Sequence, residues 1–395
     1  MTRDRTAFDR TVIGTACLRA AVVGVLVMAA GGCEVFTDPE PPEPSFDGQD
    51  VFRHATFGNE VYWTDTLQLH RVIESSVDPK TALSVGLKVD AAALPEGLLS
   101  SADLDDPATT VELIRRDAVV GIQGSVDSAG RLTEVGVTCA LCHSTVDNSV
   151  MEGVGQRLDG WPNRDLNVGA IIALSPALSP QQKETLRSWG PGRYDAYWNQ
   201  DGISDPAVIP PAYGLQDVEL ETYTGEGPIS YWNEYVAVTQ MHGQGSFEEP
   251  ALGIDIDADE EKVKPRLPAL RRYQLSLAAP APPDSVIDPA AADRGEALFN
   301  GKAECSSCHV PPTYTDAGQR LHDPEETGMD PTLAERSITG KYRTTPLRGL
   351  VHHPPYFHDG SAETLMDVVE HYDRELDLGL TQTEKEDLIE FLETL

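Results

Sequence analysis

Two short runs of this sequence set a pair of thiols beside an imidazole: Cys139-Ala140-Leu141-Cys142-His143 and Cys305-Ser306-Ser307-Cys308-His309. In a Cys-x-x-Cys-His run the thiols add to the vinyl groups of a porphyrin as thioethers, and the adjacent His reaches the iron as its proximal ligand. Zinc would want four ligands at close spacing, whereas these two pairs lie 166 residues apart. A redox disulfide would want a surrounding βαβ pattern, which the flanking sequence does not show. The runs therefore imply two haem c groups, attached through Cys139 and Cys142 and through Cys305 and Cys308, with His143 and His309 on the irons. The remaining cysteines of the six are Cys17 and Cys33, so no disulfide framework is left to build.

The sixth position on each iron decides the chemistry. A protein ligand there favours electron transfer, and an open position favours peroxide or oxygen. For the first haem the sequence offers His70, Met151, Met241 and His242 without choosing among them. For the second, the segment Pro354–Ser361 and the helix after it come into range.

The elements that must position these groups read mainly as helix. Leu67, Leu69, Val72 and Ile73 suggest one helix, and Val111–Arg116 the end of another. Ala118–Ile122 suggests a strand that Thr133–Val137 joins in a hairpin over Asp127–Gly130. Ser179-Pro180 starts a helix with Pro at its first position. Asp288-Pro289 opens one running to about Phe299. Leu365, Val368, Val369 and Tyr372 fall on one face of a helix read as Ser361–Tyr372. Thr383 to Glu386 reads as the capping box of the last helix, which has Leu388, Phe391 and Leu392 as its apolar stripe.

The chain opens with Arg3, Arg5, Arg10 and Arg19, an apolar run from Ala20 to Ala30, and then Gly31-Gly32-Cys33. That order is the pattern of a secretory signal, and the run is too short to span a bilayer. The small residues before Cys33 resemble a bacterial lipoprotein signal, in which that Cys carries the lipid. The expected organisation is a signal peptide over 1–32 and an acidic, Pro-rich tether over 33–50. An N-terminal region with the first haem domain follows over 51–277, then a linker over 278–288 and a C-terminal haem domain over 289–395. The fold class is mainly α, as two cytochrome c-like haem domains with long loops and a small N-terminal extension. The formal charge of −34 excludes nucleic acid as a partner and suits a basic redox protein. The expected location is the periplasmic face of a bacterial membrane, with the lipid at Cys33 as anchor.

With these runs in hand, the sequence resembles the bacterial diheme cytochrome c peroxidase and MauG family. The resemblance rests on Arg294–Phe299 ahead of Cys305, on Tyr342-Arg343-Thr344-Thr345-Pro346-Leu347-Arg348-Gly349-Leu350, and on Pro355–Ser361 with Thr364-Leu365 and Val368-Val369. It implies that the C-terminal haem relays electrons and that the N-terminal haem meets the oxidant, peroxide or oxygen. It also implies that Tyr372 is the distal ligand of the C-terminal haem, that Trp198 or Trp232 relays electrons between the haems, and that Ca2+ sits between the domains. Asp159, Glu234 and Glu248 are candidates for the family's acid–base group. The segment Asp159–Gly169 lacks the His that peroxidases use as a switchable ligand, so MauG-like oxidation, rubber-oxygenase-like chemistry and plain electron transfer stay open.

Overall fold

A hairpin delivers the first motif. Ile122–Val126 pairs antiparallel with Leu132–Val137, and the Asp127 carboxylate accepts the amides of Ala129 and Arg131 to close the turn at Gly130. The strand begins where the sequence reading had it end. Residues 118–120 pair instead with 88–90, through Asp90 N–H to the Ala118 carbonyl and Val120 N–H to the Lys88 carbonyl. Gly121, at φ +77°, then breaks the run, and a Cβ there would lie 2.1 Å from the Leu141 amide nitrogen. This close approach seats the Cys139–His143 turn against the hairpin. The Asn59 side chain fixes both backbone groups of Val137 from the other side.

The computed structural model describes residues 46–98, 102–282 and 287–395. The expected signal peptide, Cys33 and most of the tether lie outside the described residues, as does the middle of the linker. The tether's last residues are not extended: a helix over Gly48–His54, capped by Asp47, begins inside it. That helix buries Val51 and Phe52 against the helix Leu267–Ser276, and a Cβ on Gly48 would meet the Ala269 carbonyl oxygen at 2.2 Å.

The described residues are mainly helical, and every sheet among them is two-stranded. No described helix is long and apolar enough to cross a membrane. The helix at 180 is capped as expected, by Ser179 with Gln182 three residues on. One core runs from Val51 to Tyr342 and includes Leu333 and Ala334. Arg336 binds this stretch to the earlier chain, with Asp195 at 2.8 Å and Asp201 at 2.7 Å. A second core, built on Phe299, Leu365, Val369, Leu388 and Phe391, surrounds the second motif.

Two helices frame that second core. Pro289–Phe299 has Asp288 as its cap and Pro at its first position. It crosses Gln382–Leu392 at Gly295, where a Cβ would stand 2.0 Å from the Asp387 carbonyl oxygen. Arg294 grips the Asp387 carboxylate with two nitrogens beside the crossing. The last helix starts two residues earlier than its expected cap, at Thr381 with Glu384 in the box, because Lys302 also holds Glu384 at 2.7 Å. The helix carrying Tyr372 covers Leu365–Glu375 and is capped by Thr364, not begun at Ser361. Gly360, at φ +70°, and the bridge between Tyr356 and Ala362 keep 361–363 out of it.

Candidate functional site

The first motif forms one short helical turn, Ala140–His143, with Cys139 as its cap and both cysteines partly buried. Its backbone is held from several directions. The Gly160 amide donates to the His143 carbonyl at 2.8 Å, and the Asn163 amide donates to the Cys142 carbonyl at 2.9 Å. The His143 Nδ1–H donates to the Pro210 carbonyl at 3.1 Å, which fixes the tautomer and leaves Nε2 free as a ligand. Burial pulls His143 down to about 4 and pushes Cys139 and Cys142 up to about 12, so imidazole and thiols alike are neutral. The Tyr194 hydroxyl donates to Gln240 at 2.9 Å.

The second motif opens on a cavity of about 240 Å3. Cys305, Cys308 and His309 line one part of its wall; Tyr372, with Leu365 and Val369 of the same helix, lines another. His309 Nδ1–H donates to the Tyr314 carbonyl at 3.1 Å, and the Thr345 backbone is a second partner of the ring. Burial lowers the His309 pKa and pushes Cys305 up to about 11. Tyr372 is raised well above its ordinary value, by burial first and then by the neighbouring Cys308 and Cys305. Two thiols at the right spacing, an imidazole with its outer nitrogen tied, and an apolar cavity faced by a phenol fit a covalently held porphyrin. Cys308, Asp316 and His322 also place one ligand atom each within 4.8 Å of one another. Were Cys308 in a thioether, two ligands would remain, too few for a closed metal site.

The other residues singled out from sequence are scattered. Trp198 packs edge-on against Trp189, with centroids 5.7 Å apart, and Trp232 packs on Tyr197 and Tyr235; neither lines the cavity. His242 stacks on Tyr62 at 3.6 Å, and the Met241 carbonyl accepts the Trp63 indole N–H. Met151 is exposed, and His70 keeps a buried Nδ1 without a partner. Asp159 is occupied by Arg53, Tyr273 and Ser144. Glu234 is raised, by burial foremost, and faces Lys264, while Glu248 lies exposed on a strand edge.

Sequence reasoning missed the far wall of the cavity. Arg164, Tyr213, Tyr223 and His353 all line it. Pro210, which accepts the bond from His143, lines it too, so one segment touches both motifs. The Trp161 ring lies 5.7 Å from Tyr213. Arg343 lies within the quoted Tyr342–Leu350 run, but nothing in the sequence around Arg164 marks it.

No protein-family model matches the chain. A cytochrome-c peroxidase of Denitromonas iodatirespirans is 31% identical over 28% of this chain and 42% of its own length. The methylamine utilization protein MauG of Methylorubrum extorquens is 35% identical over 26% of this chain and 34% of its own length. MauG of Methylophilus methylotrophus is 28% identical over 37% of this chain and 49% of its own length. These similarities support the diheme cytochrome c peroxidase and MauG family for the part of the chain they cover. The chain spans less than half the length of each of these relatives.

Proposed function

We propose that this protein is an exported diheme c-type cytochrome that works as a peroxidase- or MauG-like oxidoreductase. One haem is held by Cys139, Cys142 and His143 and meets the oxidant. The other is held by Cys305, Cys308 and His309, with Tyr372 as distal ligand, and relays electrons. The observation that carries this reading is shared by the two motifs: each His gives its Nδ1–H to a peptide carbonyl, which fixes the ring and makes Nε2 the nitrogen that would face iron. The cavity between Cys305 and Tyr372 supports the assignment of the second site.

Haem iron supplies one-electron chemistry and, at an open position, binding of peroxide or oxygen. The protein's own part is to fix both imidazoles, to exclude water from the apolar cavity and to connect the sites. Trp198 and Trp232 are proposed relay residues. The segment Pro210–Tyr213 offers a second route, since it touches His143 at one end and the second cavity at the other. A basic redox protein is the proposed electron partner, drawn by the charge of −34. The lipid at Cys33 is the proposed anchor.

The test is electron paramagnetic resonance of the oxidised and half-reduced protein, with and without hydrogen peroxide. A high-spin signal that converts on adding peroxide supports the enzyme. Two low-spin signals that ignore peroxide in both redox states would make the protein an electron carrier instead.

A further inference from the structure

The wall of the second cavity holds two buried guanidinium groups that make no hydrogen bond to a carboxylate. Arg343 is 8% exposed, and it donates Nε–H to the Thr222 carbonyl at 2.6 Å and Nη2–H to the Glu221 carbonyl at 3.1 Å. Its Nη1 is buried without a partner. Arg164 donates Nη1–H to the Ile209 carbonyl and Nη2–H to the His353 carbonyl, both at 2.7 Å, and its Nε is likewise buried and unpartnered. Both guanidinium groups line the cavity, and both lie near the Tyr223 phenol. All of these bonds go to peptide carbonyls, so neither charge is answered by a carboxylate hydrogen bond.

A buried guanidinium with an unpaired nitrogen is strongly unfavourable, and it does not escape by losing its proton near neutral pH; the Glu221 carboxylate reaches Arg343 only through space. Burial draws Arg343 only to about 10. Peptide carbonyls hold the two forks in fixed positions, which is how a preformed carboxylate site is built. Porphyrin carries two propionates, on the half of the macrocycle away from the vinyl groups that bond to cysteine. We infer that Arg343 and Arg164 form the carboxylate-binding wall of the second site and take the propionates of the haem attached at Cys305 and Cys308. The inference rests on the haem reading of that site and adds the residues that orient the group and tune its charge.

The test compares Arg343→Gln and Arg164→Gln with the wild-type holoprotein. Arg320→Gln, at an exposed arginine paired with Glu326, is the control. Haem stoichiometry by pyridine haemochrome and mass spectrometry comes first. Resonance Raman spectra then read the propionate bending band, and a redox titration reads the midpoint potential of the second haem. The expected result is two haems per chain throughout, a shifted propionate band in both site variants, and a lower potential, because removing a nearby positive charge favours the ferric form. The control matches wild type. If Arg343→Gln does not fold, Arg343→Lys takes its place: it keeps the charge, so the band shifts while the potential moves less. Site variants that retain both haems with an unchanged band and potential overturn the inference. A wild-type protein without haem at Cys305 and Cys308 overturns the haem reading itself, and the stoichiometry separates that failure from the other.

Discussion

Replacing Gly295 with Ala sets two effects against each other at the crossing that frames the second site. Ala is the better helix former by about 1 kcal/mol in a helix interior. At this position, however, its Cβ would stand 2.0 Å from the Asp387 carbonyl oxygen and 2.8 Å from the Phe391 Cβ. The nearer obstacle is backbone, so the helices Pro289–Phe299 and Gln382–Leu392 have to move apart, and overpacking of this kind costs about 1–3 kcal/mol. The steric cost wins, with a net loss on the order of 1 kcal/mol. With a urea slope of about 1–3 kcal/mol per molar, the unfolding midpoint falls by roughly 0.3–1 M. The assay is urea unfolding of the holoprotein followed by circular dichroism. Ala297, exposed on the same helix, is the internal control: Ala297→Gly loses about 1 kcal/mol through propensity alone. Ala is therefore favoured at 297 and disfavoured at 295. A Gly295→Ala protein with an equal or higher midpoint would refute the close-crossing argument.

Other expectations follow from the same geometry. Cys305→Ala with Cys308→Ala should remove about one haem per chain by pyridine haemochrome, leaving the first site loaded. Tyr372→Phe should change the spectrum of one haem and leave the other as it was. Lys302 and the Thr381 cap hold Glu384 down at about 2, so its contribution is present above the ordinary carboxylate range and is lost as the pH falls toward 2. Acid titration of wild type against Glu384→Gln, followed by helix content, checks this: the variant should show a smaller loss over that window. Cys33→Ser should release the protein from membranes, and continued retention would argue against the lipid.

The two Cys-x-x-Cys-His runs stand out in the sequence because five consecutive residues carry each of them. The caps at Asp288 and Ser179 were legible for the same reason. The last helix was misplaced by two residues because Thr381 and Thr383 both have a Glu three positions on, and only the distant Lys302 decides between them. The strand at 118–122 was misjudged because Val119 faces Val89, far back in the chain, while Gly121 turns the run away. The cavity's far wall had no local signal at all. Arg164, Tyr213 and Tyr223 come to the second motif from 82 or more residues away, and only packing reveals them.

The two motifs also differ in how far the chain must travel to secure them. His309 finds its carbonyl at Tyr314, five residues on. His143 finds its own at Pro210, 67 residues on, and its turn is also held by Gly121, Gly160 and Asn163. Closing a short loop costs little chain entropy, and contacts of long sequence separation form late. The second motif takes its local shape from the stretch between 299 and 314. The first is complete only when three separate segments have arrived. The second motif is thus shaped by local chain, whereas the first depends on tertiary packing across residues 121–210 and is the one that a loosening of the fold disturbs first.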